Sequence, residues 1–126
     1  RQRMISEIKT ASMADVIEWF GQVPGTMKAV QLLVNGTPVA IGGMMRKEGF
    51  NMAFMDMKPE AKIVPVSLWK GSLKAMKEII AESRIPVYAR VSDSLETAPA
   101  FLKRLGFVPV EGNEKVMVWQ IHSPQE

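Results

Sequence analysis

Asn35-Gly36 lies between two apolar, partly β-branched runs, and no other feature constrains the fold of this chain as strongly. Both residues tolerate positive φ, which a two-residue hairpin turn demands. Residues 27–34 and 38–45 are therefore expected to pair as antiparallel neighbours. Gly42-Gly43, inside the second run, marks a bulge or a close approach of two backbones. Lys47-Glu48-Gly49 turns the chain again, and residues 50–58 read as a third strand. Asn51, Ala53, Met55 and Met57 then share one face, and Met52, Phe54 and Asp56 the other. The result is an antiparallel meander.

The meander is flanked by segments of helical period. Ser12 is a plausible N-cap for a helix over 12–20, with Met13, Val16, Ile17 and Phe20 on one side and Gly21 and Pro24-Gly25 ending it. Residues 4–9 are compatible with a strand ahead of it. Beyond the meander the clearest helix runs from 68 or 69 to 83. Trp69, Leu73, Met76 and Ile80 form one apolar stripe, opposite Lys70, Lys74, Lys77, Glu78 and Glu82. Pro65 and Ser67 suit its entrance, Ser67 as cap, and Pro86 bars continuation. A strand over 87–91 follows, expected to lie parallel to the third meander strand. Residues 98–105 form a second helix, with Pro99 in its first turn and Gly106 as a left-handed stop. Strands over 107–110 and 116–121, joined at Gly112-Asn113, precede a polar tail. The fold class is α/β (α+β): a mixed sheet, an antiparallel meander followed by β-α-β-α-β, with helices on both faces.

Composition narrows the function classes. At 126 residues, 47% hydrophobic and net charge +3, the chain reads as one globular domain over 1–126 and not as a disordered one. No apolar run reaches the roughly 18 residues of a membrane span. Arg1-Gln2-Arg3-Met4 is followed by no long apolar segment, so no signal peptide is read, and a start at Arg1 is compatible with residues ahead of it. The absence of Cys removes disulfides, thiolate nucleophiles and Cys-ligated metals. His122, the only histidine, has no second His or Cys with which to build a metal site or triad. The pI near 9.3 rests on charge spread along the chain, with no aromatic-basic platform, which argues against nucleic acid as a partner.

The element order, together with Ala98-Pro-Ala-Phe-Leu-Lys-Arg-Leu-Gly-Phe107, resembles the GCN5-related N-acetyltransferase (GNAT) superfamily. That family carries Ala-x-x-x-Tyr-x-x-x-Gly-Phe at this place, and Ala98, Gly106 and Phe107 match its spacing. The resemblance implies acetyl-CoA as cofactor and acyl transfer to an amine, on a small molecule or a protein. It also implies a pyrophosphate cradle where the fourth family strand turns into the long helix. There the family has Arg/Gln-x-x-Gly-x-Gly/Ala, whereas this chain reads Ile63-Val-Pro-Val-Ser-Leu-Trp-Lys-Gly-Ser72, keeping only Gly71. The family's tyrosine, often the general acid, aligns with Leu102, and its asparagine with Leu95, flanked by Ser94. Scaffold signals kept beside altered chemistry are similar to divergent GNAT-like proteins of tailed bacteriophages. For such a protein the expected location is the cytoplasm of the host cell, or the virion.

The resemblance makes Asp56 the candidate base, since the family takes its base from this strand. Burial between Met55 and Met57 would raise its pKa, whereas a place on the solvent face would make it ordinary. Tyr88, the only tyrosine, is the one phenol able to replace the missing acid, or else a sheet-packing residue. Ser67, Lys70, Gly71, Ser72, Lys74 and Ser94 are the candidate coenzyme contacts, or else a helix start with solvated lysines. Met44, Met45, Met52, Met55 and Met57 are core filling, or the lining of a groove for an acyl chain, pantetheine arm or peptide. Two functions compete: an acyl-CoA-dependent N-acetyltransferase, and a non-catalytic GNAT-fold protein that binds a partner, forms a homo-oligomer or joins a virion.

Overall fold

A computed structural model describes residues 5–22, 25–90 and 98–119. The chain opens with strand β1 (Ser6–Thr10) and helix α1 (Met13–Phe20). Strands β2 (Met27–Val34), β3 (Thr37–Arg46) and β4 (Asn51–Met57) form the meander. A 3₁₀ turn (Pro59–Ile63) leads into helix α2 (Pro65–Glu78), which ends in a second 3₁₀ turn (Ile80–Glu82). Then come β5 (Val87–Arg90), α3 (Ala98–Leu105), β6 (Val108–Val110) and β7 (Asn113–Trp119). The strands make one sheet in the order β1-β2-β3-β4-β5-β7-β6, antiparallel throughout except for the parallel pair β4–β5.

Local chemistry accounts for the meander. Asn35 and Gly36 take φ of 51° and 83°, the positive pair that a tight hairpin needs. The bulge falls between Leu32 and Leu33 of β2, and Gly43 is the site of the close approach, beside Ala29. Alternation then sends Val30, Leu32, Met44, Ala53, Val87, Ala89 and Met117 to one face, where α2 and α3 pack with Ala75, Met76, Leu102 and Leu105. Ala29, Ile41 and Phe54 point to the other, where α1 packs with Val16, Trp19 and Phe20.

Helix α2 departs from expectation at both ends and at one position of its apolar stripe: Met76 and Ile80 are buried as expected, Leu73 is not. The helix begins at Pro65, whose missing N–H costs nothing in the first turn, so Ser67 lies inside the helix and caps nothing. It stops at Glu78. Leu73 is 44% exposed, while Gly71, Ala75, Met76 and Ile79 face the sheet. Gly71 lies over Ile8, where a Cβ would stand at an ordinary contact distance of 3.8 Å from its side chain. Past the second 3₁₀ turn, buried Ser83 accepts from Asn51 Nδ2 (2.9 Å) and donates to Ile85 O (2.6 Å), tying the crossover to the start of β4.

The start of α1 is a capping box. Asp15 N donates to Ser12 Oγ at 3.1 Å, and Ser12 N donates to Asp15 Oδ2 at 2.9 Å. Bonding to the Ser12 backbone N–H, then to its hydroxyl, and the charge of Lys9 hold the Asp15 carboxyl below its ordinary pKa. A depressed acid stabilises the fold above its unfolded pKa and loses that contribution as pH falls through the lowered value. Ser12→Ala is expected to cost about 0.5–2 kcal/mol. It should also flatten the acid side of the stability–pH curve, read by denaturant midpoints from neutral to acid pH.

Candidate functional site

Among the described residues the sheet has an opening on the β5 side of β4. The parallel pair β4–β5 is in register only over Asn51–Val87, Met52–Tyr88 and Ala53–Ala89. β4 continues through Phe54, Met55, Asp56 and Met57, paired on its β3 side. Over that stretch alternate backbone N–H and C=O groups of β4 point to its β5 side, where no strand pairs with them among the described residues. Phe54 packs edge-on against Phe20 on the α1 side, at 6.1 Å between ring centroids. On the opposite face Met57 is packed into the core and Met55 is exposed. Of the clustered methionines, Met55 is thus the one that offers an apolar surface at the opening.

Asp56 lies on the α1 side of β4 and is exposed. Its Oδ2 accepts from Trp19 Nε1 at 2.9 Å and its Oδ1 from Met57 N at 3.0 Å. Each oxygen keeps a lone pair for a further donor. Tyr88 is half-buried on β5, its ring edge-on to Phe50 at 5.6 Å. It is level with Met52, two same-face steps from Asp56, so the Cα atoms are about 14 Å apart from strand rise and spacing. The fold therefore does not bring the two catalytic candidates onto one reacting atom.

The coenzyme candidates gather at the start of α2, over β1 to β3 and away from the opening. Leu68 packs there with Ile8, Leu32 and Ala40. Ser67 Oγ shares a 2.6 Å hydrogen bond with Ser6 Oγ, and Ser72 Oγ donates to Leu68 O at 3.0 Å. Gly71 is buried against Ile8, and Lys74 pairs with Glu78 at 2.7 Å. Lys70 alone of the set is exposed and has no ion pair among the described residues. Ser94 and Leu95 lie outside the described residues. The seam between α2 and α3 is filled by Trp69, edge-on to Phe101 at 5.5 Å, with the Arg104 guanidinium 4.3 Å from the indole centroid.

Sequence reasoning missed a second polar group, under α1. Lys58 Nζ stands 5.1 Å from the Trp19 ring centroid, and a cleft beside it is lined by Asp15, Glu18 and Gln31. The available signal was Gln31 itself, a polar residue flanked by Ala29, Val30, Leu32 and Leu33 in an apolar strand run.

No family model matches the chain, and no curated protein matches it in sequence. Solved structures do match in shape. The ribosomal-protein-S18-alanine N-acetyltransferase of Escherichia coli aligns over 97% of both chains, at 16% identity and a TM-score of 0.62. The fold is that of the GNAT proteins. An acyl-CoA N-acyltransferase from Pseudomonas aeruginosa covers 92% of this chain and 100% of its own, at 16% identity and TM-score 0.60. An aminoglycoside acetyltransferase in complex with coenzyme A covers 90% and 94%, at 11% identity and TM-score 0.55. Among the described residues no helix is long and apolar enough to cross a membrane.

Proposed function

We propose that this GNAT-fold chain takes an acyl-CoA at the β4–β5 opening for transfer of the acyl group to an amine. The observation that carries the reading is that, among the described residues, β4 beyond Ala53 has no strand partner on its β5 side, within a GNAT fold. Acyl-CoA, when bound, supplies an electrophilic thioester carbonyl. The chain's own part is threefold. Alternate N–H groups of β4 offer donors to a carbonyl oxygen. Met55 offers apolar surface to an acyl or pantetheine chain. Asp56, oriented by the Trp19 indole, accepts a proton from an amine that approaches on the α1 side.

The phosphate end is the weaker match. Pro65 has no N–H to give, and Ser67, Gly71, Ser72 and Lys74 are committed to packing or to internal bonds. Lys70 is the cation left for a phosphate. This favours, as a second reading, a non-catalytic GNAT-fold protein that binds a partner. Calorimetric titration with acetyl-CoA separates the two. Saturable binding is expected, and Lys70→Ala should weaken it by about 1 kcal/mol or less, because the lysine is solvated. No heat at millimolar acetyl-CoA would remove the transferase reading and leave the partner-binding one.

A further inference from the structure

We propose that the outer edge of β1 pairs with β1 of a second copy of this chain, antiparallel and centred on Ile8, so that one sheet runs through both copies. β1 ends the sheet on one side and β6 on the other. β6 is a blunted edge: it spans Val108–Val110, contains Pro109, and pairs irregularly with β7. β1 has no Pro and keeps an unbroken register with β2. Asn35 N donates to Ile5 O and Ala11 N to Ala29 O, so by alternation the odd-numbered residues of β1 bond to β2. The N–H and C=O groups of Ser6, Ile8 and Thr10 therefore point outward, where no strand meets them among the described residues. Such a row is a template for another strand.

Charge selects both the occupant and the register. Two such rows can bond only where outward-pointing residues stand opposite one another. With Ile8 on the two-fold axis, Ser6 stands opposite Thr10 of the partner copy, and Glu7 opposite its Lys9, each pair occurring again by symmetry. Glu7 and Lys9 then occupy non-hydrogen-bonded pairs, in which Cα atoms lie about 4.5 Å apart and side chains come closest. Sliding one strand by a residue pair in either direction sets Glu7 against Glu7, or Lys9 against Lys9, which like charge disfavours. Glu7 is exposed and has no ion pair among the described residues. Lys9 stands 3.5 Å from Asp15 and keeps N–H donors for a second carboxylate. The same register puts Ile5, 62% exposed, opposite Ala11 of the partner copy on the face that carries Glu7 and Lys9. On the other face half-buried Ile8, packed beneath α2, meets its own copy. A ladder as short as Ser6–Thr10 buries little surface, so the dimer is weak and reversible. None of this depends on the acyl-transfer reading.

The test is sedimentation equilibrium of the full chain from micromolar to millimolar concentration, in the absence of acetyl-CoA. A reversible monomer–dimer equilibrium is expected. Glu7→Lys sets Lys against Lys at both symmetry-related pairs and should weaken the dimer about tenfold, by turning two cross-strand attractions into repulsions. Lys9→Glu should weaken it similarly. An equimolar mixture of the two variants should form a heterodimer about as tight as the parent dimer, because every such pair is then Glu against Lys. A dimer built on another surface, or in another register, would show no such rescue. Should Lys9→Glu not fold, Thr10→Pro carries the test. It deletes an outward N–H on an edge strand, so it should weaken the dimer severalfold with little change in melting temperature. A chain that stays monomeric at millimolar concentration would overturn the proposal and leave the edge to a different partner. So would a Glu7→Lys or Thr10→Pro protein that dimerises as the parent does, or a mixture that associates no more tightly than its components.

Discussion

Gly43→Ala is expected to cost about 3 kcal/mol or more, at the upper end of what overpacking does. The added Cβ would collide with Lys28 O and stand 2.7 Å from Ala29 Cα. Both atoms belong to the backbone of β2, a strand hydrogen-bonded between β1 and β3, so no rotamer change relieves the clash. The strands would have to move apart where their pairing holds the meander. Gly42 is the internal control. A Cβ there meets Phe54 O at 3.4 Å and the flexible Met55 side chain at 3.9 Å, so Gly42→Ala should be far milder. Urea denaturation of the two variants reads the difference. A Gly43→Ala midpoint equal to that of Gly42→Ala would show that β2 and β3 do not approach as closely as described.

The same dipeptide shows what a sequence can reveal. Two adjacent glycines in a β-run announce a close contact, but not which of the two makes it, because that depends on the register with β2. Signals that act within a few residues were legible. Asn35-Gly36 set the hairpin, Ser12 and Asp15 set the start of α1, and Pro99 and Gly106 bracketed α3, where Gly106 takes φ of 110°. The face of α2 was legible in part: Met76 and Ile80 are buried as the stripe implied, and Leu73 is not. Bulk suggested Leu73, whereas the helix meets the sheet through Gly71, over Ile8, and Ala75, in the cluster with Val30.

The site was harder to read for the same reason. Asp56 was found by its position in β4, but its partner Trp19 lies 37 residues earlier in the chain, and no local pattern joins them. Whether Asp56 was buried depended on which face of β4 α1 would cover, and how completely. The phosphate candidates were chosen by spacing along the chain. Spacing cannot register that Ser67 and Gly71 would be used against Ser6 and Ile8 of β1. Gln31 was visible as a polar residue in an apolar strand. Its lack of a partner emerges only once every neighbour is in place.

Ile80→Ala is expected to destabilise the chain by about 2–5 kcal/mol, the usual range for emptying a buried aliphatic site. Ile80 is 4% exposed in the main core, in the cluster that holds Met76, Val87 and Phe107. Its place beyond the end of α2 matters to the magnitude. In a helix interior, alanine would recover part of the loss through its higher helix propensity, but Ile80 sits in the short 3₁₀ turn Ile80–Glu82, where that compensation is small. The turn is also pinned: Ser83 N donates to Ile80 O at 3.1 Å, and Ser83 is held by Asn51 and Ile85, so the backbone cannot easily collapse into the cavity. Leu73 gives the contrast. It is half exposed on α2 proper, so Leu73→Ala loses little burial and gains some propensity, and should change stability by less than about 1 kcal/mol. Denaturant midpoints of the two variants decide which face of the helical segment holds the core. A larger loss at Leu73 than at Ile80 would reverse the assignment and detach α2 from the sheet face described for it.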